Sequence, residues 1–246
     1  MKISIILATL NSERFLESTL KSIINQIQVD IEIIVVDGGS KDGTLEIIKK
    51  YSSSIDAWIS EKDKGISDAF NKGIHLCTGD YINFQGDGDG FISSRSVFEL
   101  FDKVDISDMP LVCGNITRID ENEALIYSTK INKNFSKKSL LFKMSLPHQG
   151  LFMPRGYFDQ YGFFDLQLKF SMDYELLLRS YDHFPRVVIK NLKVAKWRRD
   201  GIGEGNTLKV LNEYNLIKSK NKIASKATLA LIHYFTIFKY FIKKII

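Results

Sequence analysis

Two aspartates separated by one glycine, in the run Gly86-Asp87-Gly88-Asp89-Gly90, are the sharpest chemical signal in this chain. Carboxylates two residues apart in a glycine-rich turn can converge on one hard divalent cation. Mg2+ or Mn2+ would use them and keep its remaining positions for water and phosphate oxygens. The further acidic ligands of an EF-hand loop are missing. A solvated turn is the competing reading, because Asp-Gly pairs favour turns for conformational reasons alone. Other phosphate and nucleophile signatures fail. There is no G-x-x-x-x-G-K-[ST], Thr9-Leu10-Asn11-Ser12 stands where a G-x-G-x-x-G would follow the first apolar run, and G-x-S-x-G is absent. These absences count against a P-loop NTPase, a nicotinamide dehydrogenase and a Ser-His-Asp hydrolase.

The aspartates need a scaffold, and the first half of the chain supplies one. Ile3–Ala8 and Ile31–Val36 are apolar runs of strand length, with further strands expected around Trp58–Ile59 and over Tyr81–Phe84. Between the first two, Phe15, Leu16, Leu20, Ile23 and Ile24 recur at helical steps, within a helix expected over residues 12–26. Helices are also expected over Leu45–Tyr51 and Ile66–Leu76. Strand and helix in alternation with short connections imply right-handed crossovers and a mainly parallel, Rossmann-like sheet flanked by helices. Ligands bind such sheets at the carboxyl ends of the strands. There the sequence places Thr9, Asn11, Ser12 and Glu13; Asp37-Gly38-Gly39-Ser40; Glu61-Lys62-Asp63-Lys64; and the Asp-Gly-Asp turn. The second half is less regular. A hairpin is expected from Leu111–Ile119 and Leu125–Ser128, a helix from Met172–Arg179, and strands from Val187–Ile189 and Val194–Trp197.

Composition fits this α/β reading. The 246 residues are 44% hydrophobic and 26% charged, an ordinary globular balance. Two cysteines are too few for a disulfide framework or a structural zinc site. The net charge of +5 is unevenly placed. No acidic residue follows Glu213, whereas seven lysines do. Without those seven, 27 basic residues face 29 acidic ones, a net of −2 for residues 1–213. The body is therefore no basic nucleic-acid-binding domain, and the basic character belongs to the tail. We expect a catalytic domain over 1–213 and a basic amphipathic helical tail over 214–246. The N-terminal segment lacks a secretory signal, so a cytoplasmic protein is expected.

Several blocks, in order, make the chain recognisable: the strand Ile3–Thr9, EIIVVDGGSKDGTLEIIKKY (32–51), WISEKDKGISDAFNKGI (58–74), TGDYINF (78–84) with its acidic turn, and FDLQLKFSMDYELLLR (164–179). Over residues 2–205 the sequence resembles the family 2 glycosyltransferases. The resemblance implies the GT-A fold and an inverting, metal-dependent transfer (of hexosyltransferase type) from a UDP- or GDP-sugar donor to an acceptor hydroxyl. It also suggests a lipid-linked glycan acceptor in capsule, exopolysaccharide or O-antigen synthesis.

By the same resemblance, Asp37 matches the aspartate that binds the nucleotide base, with Thr9 and Asn11 beside it at the base or ribose. Helix capping is the other reading for Asn11 and Ser12. Lys64, Asp68 and Asn71 match the segment lining the donor site, unless they form an exposed polar face. The metal motif departs from the usual adjacent aspartates: Gly88 and Asp89 occupy those places, with Asp87 where Ser or Ala is usual. Asp89 is thus the expected ligand for Mn2+ or Mg2+, and Asp87 a direct, water-mediated or donor-side partner. Asp173 matches the general base, against a plain helix-dipole role, with Glu175 as fallback. His148-Gln149 match a pair near the acceptor or the phosphates, and Arg199 sits in a loop (197–203) where an arginine could clamp the diphosphate. Two rivals differ in class: a nucleotide-sugar-binding module without turnover, and a nucleotidyltransferase, which would want a basic glycine-rich loop after the first strand.

The tail reads separately. Residues 227–242 are apolar but interrupted by Lys239, and shorter than the roughly 20 residues that span a bilayer. On a helix, Lys226, Thr228, His233, Thr236, Lys239, Lys243 and Lys244 share one arc. Ala230, Leu231, Tyr234, Phe235, Ile237, Phe238, Phe241 and Ile242 fill most of the opposite side. Such a helix suits the surface of an anionic membrane, here the inner face of the cell membrane; packing on the domain is the alternative.

Overall fold

The computed structural model describes residues 1–199 and 205–245, with the side chains of 243–245 excepted. Its first half alternates β1 (Lys2–Thr9), α1 (Leu16–Ile24), β2 (Asp30–Asp37), α2 (Thr44–Lys50), β3 (Ala57–Ser60), α3 (Ile66–Leu76) and β4 (Tyr81–Gly86). Then follow β5 (Gly90–Phe91), α4 (Ser96–Phe101), β6 (Leu111–Ile119), β7 (Leu125–Ser128), β8 (Leu151–Pro154), α5 (Arg155–Tyr161), α6 (Met172–Arg179), β9 (Val187–Arg198), α7 (Thr207–Lys220) and α8 (Lys226–Ile245). The strand order is β3-β2-β1-β4-β8-β6-β9-β5, with β7 paired to β6. β3, β2, β1 and β4 run parallel, as expected; the second half adds antiparallel ladders of β8 to β4 and β6, and of β5 to β9, so the whole sheet is mixed.

β1 shows why the layers form. Its residues alternate between the faces: Ile3, Ile5 and Leu7 pack under α1 and α2, while Ile6 and Ala8 pack against α3 and the α5–α6 side. A strand buried on both faces needs a continuous apolar run, which is what MKISIILA provides. At Gly73 on α3, a Cβ would collide with the Ile6 side chain, so the glycine sets how closely α3 lies on the sheet.

Several expectations change in detail. α1 begins at Leu16 rather than near residue 12, and Phe15 precedes it with no side-chain cap. Asn11 and Ser12 therefore do not cap it: the Ser12 carbonyl accepts from Phe15 and Leu16, and the Asn11 side chain accepts from the Lys41 N–H at 2.9 Å. The two strand segments at 187–197 are one strand, β9, whose pairing with β6 shifts register around Gly114–Ile116. The short elements β5, β8, α4 and α5 have no periodic signature and were not anticipated. α7 runs through the boundary expected at residues 213/214, with Ile217 fully buried among Leu140, Tyr174 and Leu178. α8 packs on α7 and extends from it. Among the described residues, no helix is long and apolar enough to cross a membrane.

Candidate active site

A cleft of about 1280 Å³ opens beside the carboxyl end of β4. Its walls include Asp87 and Asp89 from the β4–β5 turn, His148 and Gln149, Asp173 at the start of α6, Arg198 and Arg199 at the end of β9, and Tyr214 of α7. Five sections of the chain, up to 127 positions apart in sequence, thus meet at one surface.

Asp89 is the most constrained of these groups. Its carboxylate is buried and accepts from the Arg198 N–H at 3.1 Å, the Gln149 side-chain amide at 3.1 Å and the Gly86 N–H at 3.2 Å. Burial pushes its pKa up to about 7, the three hydrogen bonds oppose the shift, and the neighbouring Asp87 charge reinforces it. A buried carboxylate held by neutral donors alone lacks a compensating cation. Asp87 is more open: one oxygen accepts from the Ser12 hydroxyl at 2.7 Å and lies 3.8 Å from the Arg198 guanidinium. Gly88 between them has φ +80°, and a Cβ there would sit 2.5 Å from Arg198 Nε. The glycine thus allows both the turn and the arginine, whose guanidinium stacks 3.1 Å above the Phe15 ring. Among the described residues no third carboxylate, imidazole or thiol joins the pair. Two hard oxygen donors, one short of positive charge, fit a divalent cation that completes its coordination with phosphate and water.

Gln149 is held in turn. Its carbonyl accepts from Asn83 and Gln85, both buried on β4, at 3.1 Å each, and Asn83 also reaches the Leu151 carbonyl. The polar residues of YINFQG, which the sequence offered only as a strand, thus anchor the backbone of the residue whose side-chain amide touches Asp89. His148 packs against Phe70, Phe84 and Phe164, its Nε2 buried without a hydrogen-bond partner. Burial lowers its pKa and the nearby Asp173 charge opposes that. Burial thus favours the neutral imidazole, and the ring serves as an aromatic wall with one polar edge. Asp173 is partly exposed and, among the described residues, bonded only to its own helix start, the Tyr174 N–H at 2.8 Å, which leaves its other oxygen for the cleft. Glu175, the fallback base, is buried and accepts twice from Arg179 Nε, at 2.9 and 3.0 Å, and does not line the cleft. Helical spacing turns it to the opposite side from Asp173.

Of the other predicted residues, Thr9, Asn11, Asp37, Lys64, Asp68 and Asn71 do not line this cleft. Asp37 and Thr9 are paired across β1 and β2. Asp37 is fully buried and accepts from the backbone N–H groups of Gly39 and Ser40, the Ser40 hydroxyl, and the Ser60 hydroxyl at 2.6 Å. Thr9 is buried, its hydroxyl unpartnered among the described residues. Asp68 accepts from the Lys64 N–H at 3.0 Å and so caps the first turn of α3. Asn71 bonds both the N–H and the carbonyl of Phe164 at 2.9 Å, tying α3 to the chain entering α6. Arg199 is exposed at the cleft rim, and its carbonyl accepts from Arg118. The loop beyond it, from Asp200 to Glu204, lies outside the described residues.

The model of the glycosyl transferase family 2 matches residues 4–162. The chain belongs to this family. A similar protein of Mycobacterium bovis, a "PGL/p-HBAD biosynthesis glycosyltransferase", is 30% identical over 213 residues, which cover 83% of this chain and 79% of the relative. A "cholesterol galactosyltransferase" of Borreliella burgdorferi is 33% identical over 142 residues, 57% of this chain and 37% of that protein. Among solved structures, S. aureus TarS 1-349 in complex with UDP superposes with a TM-score of 0.71 at 16% identity, covering 98% of this chain and 72% of that one. The mannosyltransferase PcManGT of Pyrobaculum calidifontis, in complex with GDP-Man and Mn2+, gives 0.65 at 14% identity, covering 94% and 68%. The family 2 glycosyltransferase described here thus has the GT-A architecture of these structures.

Proposed function

We propose that this glycosyltransferase inverts the anomeric centre as it moves a sugar from a UDP- or GDP-sugar to a hydroxyl of a lipid-linked glycan. The observation that carries the reading is the presence of Asp173 and the Asp87–Asp89 turn on the walls of one cleft. The acceptor hydroxyl gives its proton to Asp173 as its oxygen bonds to the anomeric carbon, and the bond to the diphosphate breaks on the opposite face. Gln149, held by Asn83 and Gln85, keeps Asp89 oriented, and Arg198 and Arg199 lie where they can bind phosphate oxygens. Asp89, with Asp87, would hold Mn2+ or Mg2+, which supplies charge neutralisation for the departing nucleoside diphosphate. The Mn2+ and nucleotide-sugar ligands of solved neighbours support this assignment.

The nucleotide half would lie beside Asp37 and Thr9. Recognition of a base by Asp37 requires that its own loop yield a hydrogen bond, since the Gly39, Ser40 and Ser60 donors already occupy the carboxylate. A lipid acceptor also suits α8. Its Leu229, Ile232, His233, Thr236, Ile237 and Tyr240 turn inward, whereas Leu231, Tyr234, Phe235, Phe238, Phe241 and Ile242 face outward. Leu231 is 73% exposed and Leu229 only 3%. The apolar arc is thus outermost on an acid-free helix, which supports a peripheral site on the inner face of the membrane.

Asp173→Asn tests the mechanism. Donor affinity by calorimetry should stay near wild type while turnover falls about 10²-fold or more. Loss of donor affinity would make Asp173 a donor-side or structural residue. With the wild type, release of nucleoside diphosphate supports transfer, whereas pyrophosphate would indicate a nucleotidyltransferase and no product a binding module.

A further inference from the structure

We infer that Tyr214 binds the acceptor: its phenol O–H donates to an oxygen beside the hydroxyl that Asp173 deprotonates, so the acceptor ends in a sugar or another vicinal diol. The inference rests on the glycosyltransferase reading and names the chemistry of its acceptor. Tyr214 lies in the stretch that composition alone assigned to the tail, and the fold returns it to the cleft. Thr207, Val210 and Tyr214 stand three and four positions apart and all line the cleft, so one face of α7 forms part of its wall.

Tyr214 is fixed against the helix that carries Asp173. Its ring packs on that of Tyr174, the residue after Asp173, with centroids 4.3 Å apart. Tyr174 is fully buried and donates its own hydroxyl to the Leu140 carbonyl. One residue before Tyr214, the Glu213 carboxylate accepts from the Lys169 and Phe170 N–H groups at 2.9 Å each, which ties α7 to the chain entering α6. The phenol and the Asp173 carboxylate are thus carried by two helices locked to each other.

Both groups are left for a ligand. Asp173 spends one oxygen on the Tyr174 N–H. Among the described residues no hydrogen bond joins Tyr214 to Asp173, and no acceptor takes the phenol proton. Burial pushes the phenol pKa up, the Asp173 charge adds to this, and the Met144 backbone N–H opposes it. The phenol therefore keeps its proton and is a hydrogen-bond donor.

The reaction decides what that donor serves. The attacking hydroxyl must present a lone pair to the anomeric carbon and its proton to Asp173. A hydrogen bond donated to that same oxygen would draw electron density from the nucleophile. The donor instead suits the next oxygen of the acceptor. A sugar offers one on the neighbouring carbon, whereas a sterol or a simple alcohol does not. A site built to bond a hydroxyl rejects the analogue lacking it, because the donor is then left unpaired.

The test uses the full chain with Mn2+ and whichever of UDP-glucose, UDP-galactose, UDP-N-acetylglucosamine and GDP-mannose it hydrolyses fastest. Octyl glucoside, galactoside and mannoside serve as acceptors, with octanol and cholesterol as single-hydroxyl controls. Transfer is read against donor hydrolysis in the same tube, a ratio independent of the amount of folded protein. Wild type should accept at least one glycoside and neither control. The deoxy analogue lacking the hydroxyl beside the acceptor hydroxyl should lose about tenfold in that ratio. Tyr214→Phe keeps the ring on Tyr174 and removes the O–H. Its ratio for the full glycoside should fall about tenfold through the acceptor KM, and the deoxy analogue should then lose nothing further. Donor affinity by calorimetry should stay near wild type. An equal fall in transfer and hydrolysis would make Tyr214 a support of Asp173 and overturn the inference. So would an unchanged ratio, a deoxy penalty that persists in the variant, transfer to octanol or cholesterol, or hydrolysis that no glycoside diverts. Failure to hydrolyse any donor counts against the glycosyltransferase reading itself.

Discussion

Asp89→Asn should alter the pH dependence of stability in metal-free protein. In the folded chain burial pushes this carboxyl up to about 7, while the unfolded one ionises near 3.8. Between those values the folded state keeps a proton that the unfolded state has released, so rising pH favours unfolding. At about 1.4 kcal/mol per pH unit, with the slope fading near 7, the loss from pH 5 to pH 8 is about 2–3 kcal/mol. Asparagine has no proton to lose, so the variant should not show this component. The asparagine oxygen can still accept from the Arg198 N–H, but its NH2 would face the Gly86 N–H, at a cost of about 1–3 kcal/mol. That cost is independent of pH and drops out when the two pH profiles are subtracted. Thermal melts in EDTA at several pH values give the result directly. For a chain of this size the Tm gap between wild type and variant should move by about 5–10 °C between pH 5 and pH 8, in favour of the variant. Saturating Mn2+ should shrink that change, because a cation favours the ionised form. Parallel profiles in EDTA would refute the burial argument.

Three further outcomes follow from the packing. Gly88→Ala places a side chain at φ +80° and 2.5 Å from Arg198 Nε, so it should cost about 1–3 kcal/mol by urea titration and blunt the Mn2+ response of donor hydrolysis; an unchanged midpoint would mean that the arginine moves freely. Glu175→Gln should lower stability by about 1–3 kcal/mol through the loss of the Arg179 pair, yet leave turnover per folded molecule intact, the opposite of Asp173→Asn; a large fall in turnover would return Glu175 to the catalytic machinery. Truncation after Ser225 keeps the Ile223 contact with the core and removes α8. It should abolish sedimentation with anionic vesicles while the domain stays folded, and a truncated protein that unfolds would make α8 a structural element.

The sequence by itself determined the parallel half of the fold and the position of its acidic turn. β1, β2 and β4 are runs buried on both faces, so local composition is enough to mark them, β3 is a short, half-exposed edge strand, and a carboxyl-end loop follows each without any long-range information. It also separated the acid-free tail from the body, since charge is additive along the chain. What it did not determine are the elements whose only reason to exist is a distant partner. β5 and β8 span two and four residues and form because β9, β4 and β6 offer free edges. α7 likewise is ordered by burying Ile217 beside α6 across a sequence boundary that composition alone suggested. The site divides in the same manner. Asp87, Asp89, His148, Gln149, Asp173 and Arg199 could be picked by type, but only the tertiary fold brought them to one cleft and turned Glu175 away into an ion pair. The fold also gave Asp68 and Asn71 tasks in holding α3 and Phe164. Residue type states what a side chain can do, and a side chain's burial and partners, which come from segments far apart in the chain, decide which of those things it does.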